Sequence, residues 1–283
     1  MYYLSVPCFF YLSVPCFFVK YPIIETKYKP LLDKGEVFLI ASIHLLHEKI
    51  TSGLYYYLID RFNEGGRKNK FKERFGFVFQ EYVGELLKYY FKDWEIIPEI
   101  KYKKEHKNIH DTVDWFIKKD NKLIMIEVKQ SSIFLSAKQN PTMEQIVSDL
   151  KKTIIKARKQ LDKTENDIKS KKYPELSIFN KIALYEKLVV VNDPLFNANF
   201  LVKNILQCKK MPFQIININD FETLIESQCE AESLFDILSF KAIENDETDF
   251  KEYIHRIFPE ARSDVKFLTQ IWDDFFKKIG VPD

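Results

Sequence analysis

Residues 122–129 read KLIMIEVK. The stretch opens as a buried strand and closes on two opposite charges, Glu127 and Lys129, one residue apart. Side chains alternate across a strand, so Ile124, Ile126 and Val128 share one face and Met125, Glu127 and Lys129 share the other. The first face suits packing under a helix. The second sets a carboxylate and an ammonium roughly 7 Å apart in Cα terms on one surface. Just upstream, TVDWFI (112–117) reads as another strand, joined to the first by the hairpin turn KKDN. Pairing the two brings Asp114, thirteen residues before Glu127, beside that glutamate. Two carboxylates at a strand end make a hard-oxygen site suited to Mg²⁺ or Mn²⁺. Such an ion activates water and offsets charge on a phosphodiester. Lys129, a compact point charge, can hold the attacking water or stabilise the transition state.

The flanks extend the pattern. WEIIPEIKYK (94–103) reads as a strand, and 72–91 as a helix with Phe75, Phe79, Val83, Leu86 and Tyr90 along one side. NEGGRKNK (63–70) is a loop and a candidate boundary. Before it come strands at 17–24 and 36–41 and a helix over 42–62. After the hairpin, a long basic helix follows Pro141 to about 172. Then come a strand at 185–193, a helix at 195–208, a strand at 213–219 and a helix at 219–228 opened by Asn219 or Asp220 as cap. Helices at about 231–244, 248–258 and 263–279 form a tail. Helix, three strands, long helix, strand, helix, strand is an α/β order around one sheet. The division expected is an N-terminal extension over 1–70, a core over 71–228 and an acidic helical tail over 229–283.

The chain has 283 residues, 46% hydrophobic and 30% charged, which supports a sizeable core and excludes a disordered chain. Its net charge of +2 is unevenly spread. Residues 151–172 hold nine Lys/Arg against three acids, and residues 219–250 hold ten acids against one Lys. The basic run is a surface a polyanion would meet, with Lys151, Lys152, Lys156, Arg158 and Lys159 as candidate phosphate contacts. The competing reading is a solvated helix face.

Other features lead away from alternative chemistries. Cys8, Cys16, Cys208 and Cys229 form no CxxC pair, so free thiols in a reducing cytoplasm are the plain reading. His106, His110 and Asp111 sit in a Lys-rich loop, where chance or phosphate contact accounts for them better than metal. His44-Leu-Leu-His47-Glu48 lacks the order of a zinc-protease helix. There is neither a GxGxxG nor a P-loop. YLSVPCFF at 3–10 is repeated at 11–18, as expected of a duplicated coding segment. It lacks the basic n-region and small-residue cleavage site of a secretion signal, and Pro7 and Pro15 interrupt any helix, so no membrane association is expected.

Asp114 followed by Glu127-Val128-Lys129 resembles the D…(D/E)xK motif of the PD-(D/E)xK nuclease superfamily, the restriction-endonuclease-like fold. The element order over about 72–218 is similar to that family's core. Gly76-Phe77-Val78-Phe79-Gln80-Glu81 resembles the G-x-x-F-x-E phrase that many members carry on the preceding helix. The resemblance implies a central mixed sheet flanked by helices. It implies a metal site built from Asp114, Glu127 and the Val128 carbonyl, with Lys129 catalytic and Glu81 assisting. Gln130 follows the lysine, as in a subset of members where such a residue helps position the site. Glu85, one turn beyond Glu81, could serve in its place, and Asp111 competes with Asp114. The activity implied is Mg²⁺-dependent phosphodiester hydrolysis, of DNA first and RNA second, in defence against foreign DNA. The rival reading is a catalytically silent subunit of a nucleic-acid-processing or toxin–antitoxin complex. Either a homodimer or a multi-subunit assembly is compatible with the sequence.

Overall fold

The computed structural model describes residues 23–26, 37–40, 70–103, 108–130, 143–192, 198–208, 211–227, 231–244, 248–260 and 265–278. The duplicated octapeptide, the expected helix over 42–62 and His106 lie outside them. The chain divides into two compact units, Met1–Phe75 with Ile133–Ile146, and Gly76–Ser132 with Val147–Asp283. In the first, strands β1 (Ile23–Thr26) and β2 (Val37–Ile40) pair antiparallel, with Ile23 opposite Ile40 and Thr26 opposite Val37.

The second unit is built on a five-stranded mixed sheet. Its strands are β3 (Glu95–Pro98), β6 (Trp115–Lys119), β7 (Lys122–Lys129), β8 (Leu184–Val191) and β9 (Gln214–Asn217), side by side in that order. The first three pair antiparallel and the last three parallel. The β6–β7 hairpin turns on Asp120-Asn121, with Asp120 in the left-handed region at φ 52. Aspartate tolerates that conformation better than most residues do. The strand quoted at the outset is thus the central one, and every residue from Leu123 to Val128 is buried. Burial on both faces explains why its sequence runs nearly continuous in apolar residues instead of alternating.

Two helices cover opposite faces of the sheet. Helix α1 (Lys70–Tyr90) turns Phe79, Val83, Leu86 and Leu87 inward. Trp115 meets it, its indole N–H donating to the Gln80 carbonyl at 2.9 Å. A Cβ on Gly84 would stand 2.0 Å from that indole, so only glycine permits the approach. Phe116, the next residue of β6, points the other way and packs on Phe179 with ring centroids 4.7 Å apart. Phe179 ends the 3-10 helix Pro174–Phe179, which follows α2 (Met143–Ser170). On that same face Lys187 of β8, paired in register with Met125, bonds Asp162 at 2.7 Å and Glu165 at 2.6 Å on α2. Helix α2 is the long crossover that a parallel β7–β8 step requires.

Run 94–103 is not one strand. It ends at Pro98, which has no N–H to extend the ladder. After a two-residue bend, β4 (Lys101–Lys103) pairs with β5 (Ile109–Asp111) in a separate two-stranded sheet. Strand β6 begins at Trp115, so Asp114 stands just ahead of it.

At the β9 edge of the sheet, α3 (Ala198–Leu206) precedes β9 in the chain, and α4 (Ile218–Glu226) follows it. Asn217, two residues earlier than expected, caps α4 by accepting from the Asp220 N–H at 3.0 Å. The buried Asn199 on α3 accepts from the Ile215 N–H at 2.9 Å and donates to the Ile215 carbonyl at 3.4 Å. The C-terminal helices pack against this unit rather than trailing from it. Leu234 and Leu238 of α5 (Ala231–Glu244) are wholly buried, and Ser239 donates to Glu186 of β8 at 2.5 Å. Buried Lys241 lies over the rings of Phe250 and Tyr253 on α6 (Phe250–Ile257) and donates to the Thr248 carbonyl at 2.9 Å. Helix α7 (Lys266–Lys278) packs Phe267 against Tyr82 and Tyr89 of α1. Among the described residues no helix is long and apolar enough to cross a membrane.

Candidate catalytic site at the end of the central strands

Register decides what meets at the strand ends. The last ladder pairs are Pro98 with Trp115 and Trp115 with Ile126. One step further, Glu99, Asp114 and Glu127 come next on three neighbouring strands and form a row at their ends. Asp114 and Glu127, each two residues from Phe116 and Met125, lie on their face, covered by α2. Lys129 lies on the same face, two residues beyond Glu127.

Hydrogen bonds fix the row. The Val128 N–H donates to Asp114 Oδ2 at 2.7 Å, tying the two strand ends together. Lys129 Nζ donates to Glu127 Oε1, and the two form an ion pair. Thr112, buried, holds both backbone groups of Ile100. Its N–H donates to the Ile100 carbonyl at 3.1 Å, and its Oγ1 accepts from the Ile100 N–H at 2.8 Å. From α2, Gln160 Nε2 donates to the carbonyls of Asp111 and Thr112, both at 2.7 Å, and Lys163 donates to the Asp111 carbonyl at 3.3 Å. The segment carrying Asp114 is therefore clamped between its own sheet and the long helix.

Burial works against charge on all three acids. Burial pushes the Glu127 carboxyl up to about 8, with the Asp114 charge beside it adding to the rise and Lys129 opposing. Burial likewise raises Asp114, against the Val128 N–H and Lys129. Glu99 is raised by burial, then by Asp111 and Asp114, with Lys101 and Lys129 pulling the other way. Glu127 Oε2 and Asp111 Oδ1 are buried without a hydrogen-bond partner. A buried carboxylate oxygen left bare is costly, and a hard cation would satisfy it. Among the described residues no three His, Cys, Asp or Glu side chains converge closely enough to hold a metal by themselves. The donor set on offer is two carboxylates and the Val128 carbonyl, which leaves positions for water.

Sequence-selected residues are not all brought together. Asp114, Glu127, Val128 and Lys129 are. Gln130 lies on the α1 side, its Oε1 3.9 Å from where a Cβ on Gly76 would be. Gly76 and Gly84 bracket Gln80 at helical spacing, so Gln80 lies on the sheet-facing side of α1. Glu81 is exposed one position round, and no hydrogen bond or ion pair joins it to Asp114, Glu127 or Lys129. Glu85 is exposed and pairs with Lys88 at 2.7 Å. On α2, Lys151, Lys152, Lys156 and Lys159 are exposed, while Arg158 pairs with Asp162 at 3.3 Å. Gln160 sits level with Thr112, so the turns carrying those lysines lie toward the end of the sheet where the row is. Glu99 was missed in the sequence because its strand's register is set by a partner seventeen residues away, Pro98 against Trp115.

No family model and no curated protein matches the chain. A solved structure similar to it is the small subunit (R.BspD6I2) of the heterodimeric restriction endonuclease R.BspD6I, at 11% identity and a TM-score of 0.32, over 73% of this chain and 100% of that one. A likeness of that size leaves the fold to rest on its own strand order: a five-stranded mixed sheet flanked by helices, consistent with a restriction-endonuclease-like fold.

Proposed function

We propose that this protein is a metal-dependent nuclease that hydrolyses phosphodiester bonds, DNA before RNA, in the cytoplasm and in defence against foreign DNA. The observation that carries the reading is the meeting of Asp114 and Glu127 at the end of the central strands, with one buried Glu127 oxygen bare and Lys129 on the other. Asp114, Glu127 and the Val128 carbonyl would hold Mg²⁺ or Mn²⁺. Bound there, the ion supplies Lewis acidity and a water of lowered pKa.

The chain's own groups do the rest. Asp114, by taking the Val128 N–H, sets the peptide between the two acidic positions. Lys129 stands where it can orient the attacking water and meet charge developing on the phosphate. Lys151, Lys152, Lys156 and Lys159 hold the backbone of the nucleic acid, and Arg158 joins them when it leaves Asp162.

Single-turnover cleavage of plasmid DNA and of RNA in Mg²⁺ and Mn²⁺ tests the reading. Cleavage by the wild type, lost in Asp114→Asn and Glu127→Gln, supports it. Absence of cleavage in either metal, with DNA still bound, would make the chain a silent binding subunit.

A further inference from the structure

We infer that Glu99 is an outer carboxylate of the cation site, accepting a hydrogen bond from water that the ion keeps in its shell. The inference rests on the cation reading of Asp114 and Glu127 and goes beyond it, since no motif points to Glu99.

Three observations carry it. The ladders of three neighbouring strands run through Pro98, Trp115 and Ile126, so Glu99, Asp114 and Glu127 come next on each, side by side at the strand ends. Thr112 grips both backbone groups of Ile100, which holds Glu99 in place without using its carboxylate. Glu127 Oε2, in a residue only 3% exposed, has no hydrogen-bond partner. A row of three acids is costly to fold unless something positive occupies it. Mg²⁺ is smaller than the reach of such a row and keeps several waters, so a third carboxylate acts most simply through one of them. Outer partners of this kind are worth about 10- to 100-fold in metal affinity.

Mn²⁺ binding to the full chain without nucleic acid, followed by titration calorimetry and by the electron paramagnetic resonance of free Mn²⁺, tests the assignment. Glu99→Gln should weaken Mn²⁺ binding by about tenfold or more. Its metal-free melting temperature should be equal or higher, because a neutral amide removes like-charge repulsion. Asp236→Asn, which removes the α5 carboxylate 3.8 Å from Lys122 at the opposite end of β7, makes the same change in net charge and should leave Mn²⁺ affinity as it is. Unchanged affinity in Glu99→Gln with affinity lost in Glu127→Gln would overturn the inference alone. An equal loss in Asp236→Asn would reduce the effect to bulk charge and overturn it too, as would a destabilised metal-free Glu99→Gln, which would assign Glu99 a structural role. Mn²⁺ binding indifferent to Glu127→Gln would overturn both this inference and the cation reading beneath it.

Discussion

Of the two oxygens of Glu127, one is held by Lys129 and the other by nothing. That asymmetry separates what each residue should do when changed. Asp114→Asn should lose Mn²⁺ binding and cleavage together, as calorimetry and single-turnover kinetics would show. Lys129→Ala should keep Mn²⁺ and DNA binding while cleavage slows on the order of 10²–10³-fold, the usual cost of one preorganised charge. An undiminished rate would place any nuclease activity elsewhere. Glu127 also sets a pH dependence. Its folded-state pKa is raised from 4.5 to about 8, so between those values the folded chain binds more protons than the unfolded one. Stability of the metal-free protein should then fall as pH rises through that window. Glu127→Gln should flatten the decline, so its melting temperature gains most over wild type near pH 8 and least near 4.5. Saturating Mn²⁺ should reverse the decline in wild type only.

Elements were legible in the sequence where local pattern decides them. The apolar run at 122–129, the stripe on 72–91 and the crossover helix after Pro141 all read correctly, because burial of one stripe or of two faces writes itself into composition. What failed was pairing at a distance. Strand β5 lies in a Lys-rich stretch with no strand pattern, and nothing local except Pro98 separates its partner β4 from β3. The row of acids was two-thirds legible for the same reason. A hairpin reveals Asp114 beside Glu127, whereas Glu99 depends on a second, longer register. Helix α1 offers an element-scale test in which two effects oppose. Gly84→Ala gains about 1 kcal/mol of helix propensity. Its Cβ meets Trp115 at 2.0 Å, and overpacking a buried contact costs about 1–3 kcal/mol or more. The clash should win, lowering the denaturant midpoint. On α2, changing Lys151, Lys156 and Lys159 to Ala should flatten the slope of log DNA affinity against log salt by about one unit per lost phosphate contact. An unchanged slope would make the helix a solvated face.

At the scale of the molecule, the acidic C-terminal segment is part of the sheet unit. Tyr82 donates to Glu222 at 2.5 Å, Tyr90 donates to Glu226, and Glu226 also accepts from the Lys266 N–H at 3.1 Å. A chain ended at residue 228 would bare the β8 side of the sheet where α5 sits. It should show a lower, broader thermal transition than the full chain, even though every candidate catalytic residue is retained. An equally stable truncated chain would instead make 229–283 a separable tail. The other molecular consequence comes from Asn199. A side-chain amide can present an N–H donor and a carbonyl acceptor in one plane, as a neighbouring backbone would. By offering both to Ile215 it acts as a one-residue counterfeit strand, and it occupies the spot where a sixth strand from another copy would begin to zip on. Asn199→Leu would keep the branched outline and withdraw the counterfeit. The expected result is a lower melting temperature, from the Ile215 N–H and carbonyl left unpaired, together with concentration-dependent self-association visible by light scattering.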